Sequence, residues 1–295
     1  MRYEGTCYPP PTERDSYLLR VTLGCSHNKC KFCNFYKGQP FQVRPFEEVD
    51  EEIVAARNHY EQVSGVFLTD GNVTCLSMGR LRPILKKIKT VFPEAAHTNM
   101  YGTFRDINKK SVAELREMKE HGVRMITAGL ESGSDIVLSD MDTGYTADEA
   151  IAAGEKMNEA GVGLVTVVIL GLGGVKHSEE HVRGTVRVLN ELNPARVGIA
   201  VCVPFMDTPL FNDIQSGFFK LPTYEQIFWE EVEIVRGLKF QESCILSTGH
   251  FYPYKHVVEG QLPYEKEKML QEVENRAKMY SKWLDKKIYV SATPN

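Results

Sequence analysis

Three of the seven cysteines fall within nine residues, in Gly24-Cys25-Ser26-His27-Asn28-Lys29-Cys30-Lys31-Phe32-Cys33. The spacing is C-x4-C-x2-C, and three thiolates on one loop can converge on a soft metal centre. A structural zinc site asks for four protein ligands. The sequence has no second C-x2-C pair, and His27 would have to serve as the fourth ligand from inside the same tight loop. Iron–sulfur clusters commonly take four cysteines, so three leave one iron open to a substrate or cofactor. A purely structural cluster is the plainer use of the same ligands. The remaining cysteines, Cys7, Cys75, Cys202 and Cys244, form no close-spaced pair for an auxiliary cluster. An odd cysteine count, with no apolar run in the opening Met1-Arg2-Tyr3-Glu4-Gly5, argues against a disulfide framework and for a cytoplasmic location.

The elements that must position this loop are short β-branched runs alternating with amphipathic stretches. Strands are expected at about 17–23, 65–69, 95–100, 123–130, 162–170 and 196–203. Helices are expected at about 46–63, 77–91, 109–121, 146–160, 178–192 and 223–238, with Ser111 as an N-cap and Gly122 and Gly161 as stops. Six β-α units in series select a parallel sheet with right-handed crossovers. An open doubly wound sheet and a full or partial barrel both satisfy that pattern. In either, ligand-binding residues gather at the C-terminal ends of the strands, and the cysteine loop directly follows the first strand. The last fifty residues lack strand–helix alternation and read as a cap or tail.

The cysteine loop, with Phe32 just before its last cysteine, resembles the signature of the radical S-adenosylmethionine (SAM) superfamily. The usual form is C-x3-C-x2-C, so this chain carries one extra residue between the first two cysteines. The resemblance implies that Cys25, Cys30 and Cys33 hold a 4Fe-4S cluster whose fourth iron is chelated by the amino and carboxylate groups of SAM. Other strand ends agree. Thr69-Asp70-Gly71-Asn72 stands where the family keeps a Gly-Gly-Glu-like turn near the SAM amino group, with Asp70 or Asn72 as acceptors and Gly71 for close approach. Gly129-Leu130-Glu131-Ser132-Gly133-Ser134, continued by Met141-x-x-Gly144-Tyr145-Thr146, resembles the branch of methylthiotransferases and oxygen-independent coproporphyrinogen oxidase. Glu131 and Ser132 are the candidates there for the ribose hydroxyls or methionyl amino group. Gly171-Leu172-Gly173-Gly174 matches a glycine-rich turn near adenine, and Val201-Cys202-Val203-Pro204 with Thr208-Pro209-Leu210 matches a stretch whose backbone, at Val203, faces adenine. Tyr36 is placed to stack on adenine or to pack in the core.

The fold so implied is a parallel (β/α)6 partial TIM barrel with a short C-terminal cap or tail. Residues 1–220 would form the barrel core, with the cluster loop at 24–36, and residues 221–295 its last helix and the cap. Cys25 lies near the start of the sequence, and the layouts with an added cobalamin, methylthiotransferase or large C-terminal domain are not expected. The reaction implied is reductive cleavage of SAM, giving a 5′-deoxyadenosyl radical that abstracts hydrogen from a substrate. Water and oxygen are excluded, and a donor such as flavodoxin or ferredoxin supplies the electron. Cys75, Cys202 and His250 are the candidate catalytic residues, the thiols as hydrogen-atom donors and His250, with Tyr252, as polar contacts in an aromatic stretch near the barrel mouth.

Composition narrows the partners. With 35 basic and 39 acidic side chains the net charge is −4, which disfavours a nucleic-acid substrate despite Lys86, Lys87 and Lys89 on one helix. A small molecule is the expected substrate. No run reaches the roughly 18 apolar residues of a membrane span. Trp229 and Trp283 read as packing residues, and Glu265-Lys266-Glu267-Lys268 as a solvated helix face. A different class, a non-catalytic iron–sulfur or zinc carrier or sensor on the same scaffold, fits the cysteines. It leaves Asp70, Gly71 and Glu131 without a purpose.

Overall fold

A computed structural model describes residues 7–250 and 256–280. Tyr252 and Trp283 lie outside the described residues. In chain order the elements open with β1 Tyr17–Arg20, β2 Thr22–Leu23, β3 Gln42–Val43, α1 Phe46–His59, β4 Val66–Thr69, α2 Met78–Val91 and β5 Thr98–Tyr101. There follow α3 Phe104–Asn108, α4 Val112–Glu120, β6 Met125–Glu131, α5 Asp135–Asp140, α6 Ala147–Ala160, β7 Gly163–Leu170 and α7 Ser178–Leu192. The chain continues through β8 Arg196–Val201, α8 Pro209–Gln215, α9 Tyr224–Gly237, β9 Cys244–His250, β10 Val258–Leu262 and α10 Lys266–Tyr280. The fold is α/β with a mostly parallel sheet.

Two compact units divide the chain. The first holds the residues up to Asn28, Phe35–Ala128 and Glu155–Leu164. In it β1, β4, β5 and β6 pair in that order, all parallel. The four residues of β4 are all buried, as expected of a parallel strand covered on both faces. Ser111 caps α4 in a reciprocal capping box with Glu114, and Gly122 (φ +101°) ends it.

The second unit holds Lys29–Asn34, Gly129–Gly154 and the residues from Val165 onward, so segments on both sides of residue 220 belong to it. Its strands run β7-β8-β9-β10, parallel except for the last pair. The C-terminal stretch read as lacking periodicity therefore carries two strands and a helix. Its regularity is hard to see because Ser247, Thr248 and Gly249 interrupt the apolar run. Beyond its pairing with β8 and β10, a polar network holds β9: Thr248 Oγ1 donates to buried Glu231 of α9, which is also ion-paired to buried Arg276 of α10. The Arg276 guanidinium goes on to donate to the His256 carbonyl at 2.6 Å.

Candidate functional site

Cys25 is held by the turn after β4. Arg20 on β1 forms a buried ion pair with Asp70 at 3.1 Å, and the Asp70 carboxylate accepts the Gly24 N–H at 3.0 Å. Gly71 N–H donates to the Gly24 carbonyl at 3.0 Å. Asp70 sits in left-handed backbone (φ 74°), which aspartate tolerates better than most residues. Burial pushes its carboxyl up, and Arg20 and the Gly24 N–H oppose that shift. A Cβ on Gly71 would stand 2.5 Å from the Cys25 Cβ and 2.9 Å from its Cα, so the glycine is the space in which Cys25 sits. The close approach expected of Gly71 toward a ligand is made toward this cysteine.

Asn72 continues the same framework. Its amide donates to Asp106 at 2.6 Å and to Ser26 at 2.8 Å, and its oxygen accepts from Thr74 at 2.8 Å. Lys109, Arg105 and Asn72 together outweigh burial and hold the Asp106 carboxyl down near 2. Arg105 also reaches His27 Nδ1 at 3.2 Å. Asn72, expected to accept from an ammonium, is thus engaged within the protein, and Asp70 is ion-paired to Arg20 and accepts from Gly24, its Oδ1 having no hydrogen-bond partner among the described residues. Cys75 is half-buried, its thiol donating to the Asn72 carbonyl at 3.1 Å, with burial and Asp106 raising its pKa. Tyr36 is buried with its ring perpendicular to that of Tyr8, and Tyr8 in turn stacks on Phe35 with ring centroids 4.5 Å apart.

In the second unit, the Lys31 N–H donates to the Met141 carbonyl and the Lys31 carbonyl accepts from Leu210 N–H, both at 3.0 Å. These two bonds fix the Cys30–Cys33 turn, and Phe32 packs against Val137, Met141, Leu172, Cys202 and Leu210. Phe32 therefore anchors the loop in the core. Cys202 is buried in the same apolar cluster, and burial with Glu230 nearby pushes its thiol up to about 12. That setting suits packing rather than hydrogen-atom donation. His250 ends β9 opposite Ala200 of β8, with Nε2 2.9 Å from Ser247 Oγ on its own strand. Val203 is half-buried just after β8.

Glu131 ends β6 with φ 55°. Its carboxylate curls back over Gly129, where any Cβ would overlap it. Among the described residues it has no hydrogen-bond or ion-pair partner, and burial pushes it up to about 8. Beside it Tyr145 OH donates to the Leu130 carbonyl at 2.7 Å, the observed use of the Gly144-Tyr145 pair. Ser132 Oγ accepts Ser134 N–H at 3.1 Å and lies 2.8 Å from His181 Nδ1, while Gly133 N–H donates to Thr185 Oγ1 at 3.0 Å. Gly133 and Gly184 pack backbone to backbone, with no room for a Cβ on either. Gly171, at φ 81°, gives its N–H to Glu230 at 2.6 Å. The other oxygen of Glu230 accepts from Ser178 at 2.5 Å. The sequence reading missed His181, Gly184, Thr185 and Glu230. The first three share one face of α7 at helical spacing, which is the signal that marked them.

The three loop cysteines are half-buried and in no disulfide, and the stretch from Gly24 to Tyr36 contains no carboxylate, so the donor set is thiolate. Among the described residues no three His, Cys, Asp or Glu side chains are gathered as a single metal ion would require. These residues fit an iron–sulfur cluster. Residues 19–189, more than half of the chain, match the Radical SAM superfamily. The chain belongs to that superfamily.

Among curated relatives, the chain is 21% identical over 209 residues to the heme chaperone HemW of Bacillus subtilis (strain 168), covering 68% of this chain and 54% of HemW. It therefore spans about half the length of that relative. Among solved structures it resembles the radical SAM methyltransferase TsrM from Kitasatospora setae, with cobalamin and a [4Fe-4S] cluster bound, at TM-score 0.55 and 17% identity. That match covers 68% of this chain and 39% of TsrM. It also resembles the radical SAM coproporphyrinogen III oxidase HemN of Escherichia coli, at TM-score 0.54 and 17% identity, covering 75% of this chain and 52% of HemN. At these identities the likeness is one of fold. No helix among the described residues is long and apolar enough to cross a membrane.

Proposed function

We propose that the chain is a radical SAM enzyme acting on a small molecule in the cytoplasm, with Cys25, Cys30 and Cys33 holding a 4Fe-4S cluster and Glu131 holding SAM. When bound, the cluster and SAM supply one-electron cleavage of the sulfonium C–S bond, and the resulting 5′-deoxyadenosyl radical takes hydrogen from the substrate. The observation that carries this reading is Glu131: a desolvated carboxylate with no donor among the described residues, beside the match to the superfamily. Glu131 is half-buried; a partly desolvated carboxylate with no partner among the described residues is costly, and an ammonium or a pair of ribose hydroxyls would relieve it. Arg20, Asp70 and Gly71 set Cys25 in place; Phe32 and the backbone of Lys31 set Cys30 and Cys33. Glu230 orders the Gly171 turn, whose place after β7 suits the adenine, as does that of Val203 after β8. A flavodoxin- or ferredoxin-like donor would supply the electron.

The test is anaerobic reconstitution with iron and sulfide, reduction with dithionite in the presence of SAM, and quantification of 5′-deoxyadenosine. Product that disappears in Cys30→Ala supports the enzyme. A second reading, a non-catalytic carrier, is favoured by the similarity to the heme chaperone HemW. It predicts a cluster and no SAM cleavage under the same conditions.

A further inference from the structure

His181 is fully enclosed, at 0% exposure, with Nδ1 on Ser132 Oγ at 2.8 Å and Nε2 buried without a hydrogen-bond partner among the described residues. Leaving a buried polar atom unpaired is destabilising. A leucine would fill similar space without that cost, so the value of the imidazole lies in what Nδ1 does. Burial holds its pKa near 4, so the ring is neutral at pH 7, with one nitrogen donating and the other accepting. Ser132 Oγ also takes the Ser134 N–H, so the hydroxyl is fixed between two partners. One residue upstream stands Glu131, in a left-handed conformation that is strained for a residue with a Cβ. Such a conformation persists only where the surroundings over-determine it. Here α7 supplies that constraint through residues spaced i, i+3 and i+4 on one face: His181 on Ser132, Gly184 against Gly133, and Thr185 on Gly133.

We propose that His181 is a positioning residue for SAM: through Ser132 it keeps Glu131 in the left-handed turn that presents its carboxylate to the ligand. The proposal rests on Glu131 being a SAM ligand. It separates two roles that a stability measurement alone would merge. A packing role makes His181→Leu harmless, whereas a positioning role makes it stable and deficient.

The experiment uses reconstituted, dithionite-reduced protein, with SAM affinity measured by equilibrium dialysis and by the change SAM causes in the electron paramagnetic resonance spectrum of the cluster. His181→Leu should keep wild-type iron content and a melting temperature at or above wild type. Its SAM Kd should rise about tenfold, with the spectral change displaced to higher SAM by the same factor. His181→Asn, whose amide can replace Nδ1 toward Ser132, should recover most of the loss. Wild-type Kd and spectral change in a fully loaded His181→Leu protein would overturn the proposal. Should that variant fail to fold, Ser132→Ala deletes the other end of the same hydrogen bond, and unchanged affinity there overturns it equally. A wild-type cluster that binds no SAM at all would overturn the reading of Glu131 and this proposal together. Wild-type binding with indifferent variants would overturn only the role of His181.

Discussion

Around Cys25 the polar groups near the loop are spent on one another: Arg20 on Asp70, Asp70 on Gly24, Asn72 on Ser26 and Asp106, and Arg105 on Asp106 and His27. Around Glu131 the backbone is held as firmly, but by a neutral imidazole, two hydroxyls and a glycine–glycine contact that bring no charge to the carboxylate. The consequence shows in two acids. Asp106, among cations, is held near 2, and Glu131, desolvated and without a donor among the described residues, is pushed to about 8. The first region resembles a finished framework whose product is the position of a thiol. The second keeps a carboxylate in reserve. Binding sites differ from scaffolding in this respect: the scaffold pairs its charges within the chain, and the site leaves one to be paired by something else.

The contrast can be broken from either side. The largest effect should come from Gly71→Ala, whose methyl would overlap Cys25 itself. Iron content after reconstitution should fall more than tenfold, while overpacking costs a further 1–3 kcal/mol or about that in stability, read from urea melts. Next, Arg20→Met strands the buried Asp70 charge, and denaturation of the apoprotein should show a loss of about 3–5 kcal/mol. Glu131→Gln acts on the other region. Iron content and folding should be kept, and SAM affinity should drop about tenfold to a hundredfold, the worth of roughly 1.5–3 kcal/mol for a hydrogen bond to a charged group. Thr185→Ala, which removes one donor–acceptor pair from the Glu131 turn, should be the mildest, at about 1 kcal/mol.

Acidity sharpens the same comparison. The Glu131 value near 8 lies above its ordinary 4.5, so the folded chain keeps a proton that the unfolded chain has already lost between those limits. This group therefore lowers stability as pH rises from about 4.5 to 8, and a thermal melt series should show Glu131→Gln gaining on wild type across that window. SAM, which needs the ionised form, should bind wild type more tightly as pH rises toward 8.

Much of this was legible in the sequence, and the exceptions have physical causes. The superfamily resemblance of the C-x4-C-x2-C loop and the parallel α/β order could be read because residue type, period and place after a strand all act locally. The roles of Asp70 and Asn72 could not, since an acidic turn looks the same whether it faces a ligand or an arginine on the neighbouring strand. Whether Gly71 makes room for a cofactor or for Cys25 is likewise a matter of what lies across the gap. Cys202 sits at a strand end yet points into an apolar cluster, a choice made by packing with Phe32 and Leu210. The strands β9 and β10 were hidden because a buried Glu231–Arg276 pair, joining residues far apart in sequence, holds what the local pattern leaves undecided.

The most direct test is SAM binding to the reduced, reconstituted protein at pH 6, 7 and 8.5, in wild type and Glu131→Gln side by side, with iron content measured on each sample. The expectation is equal iron in both proteins, wild-type affinity that strengthens toward pH 8, and a weak, pH-independent affinity in the variant. Equal affinities and equal pH profiles in two fully loaded proteins would contradict it, because the unpaired carboxylate would then be serving the fold alone.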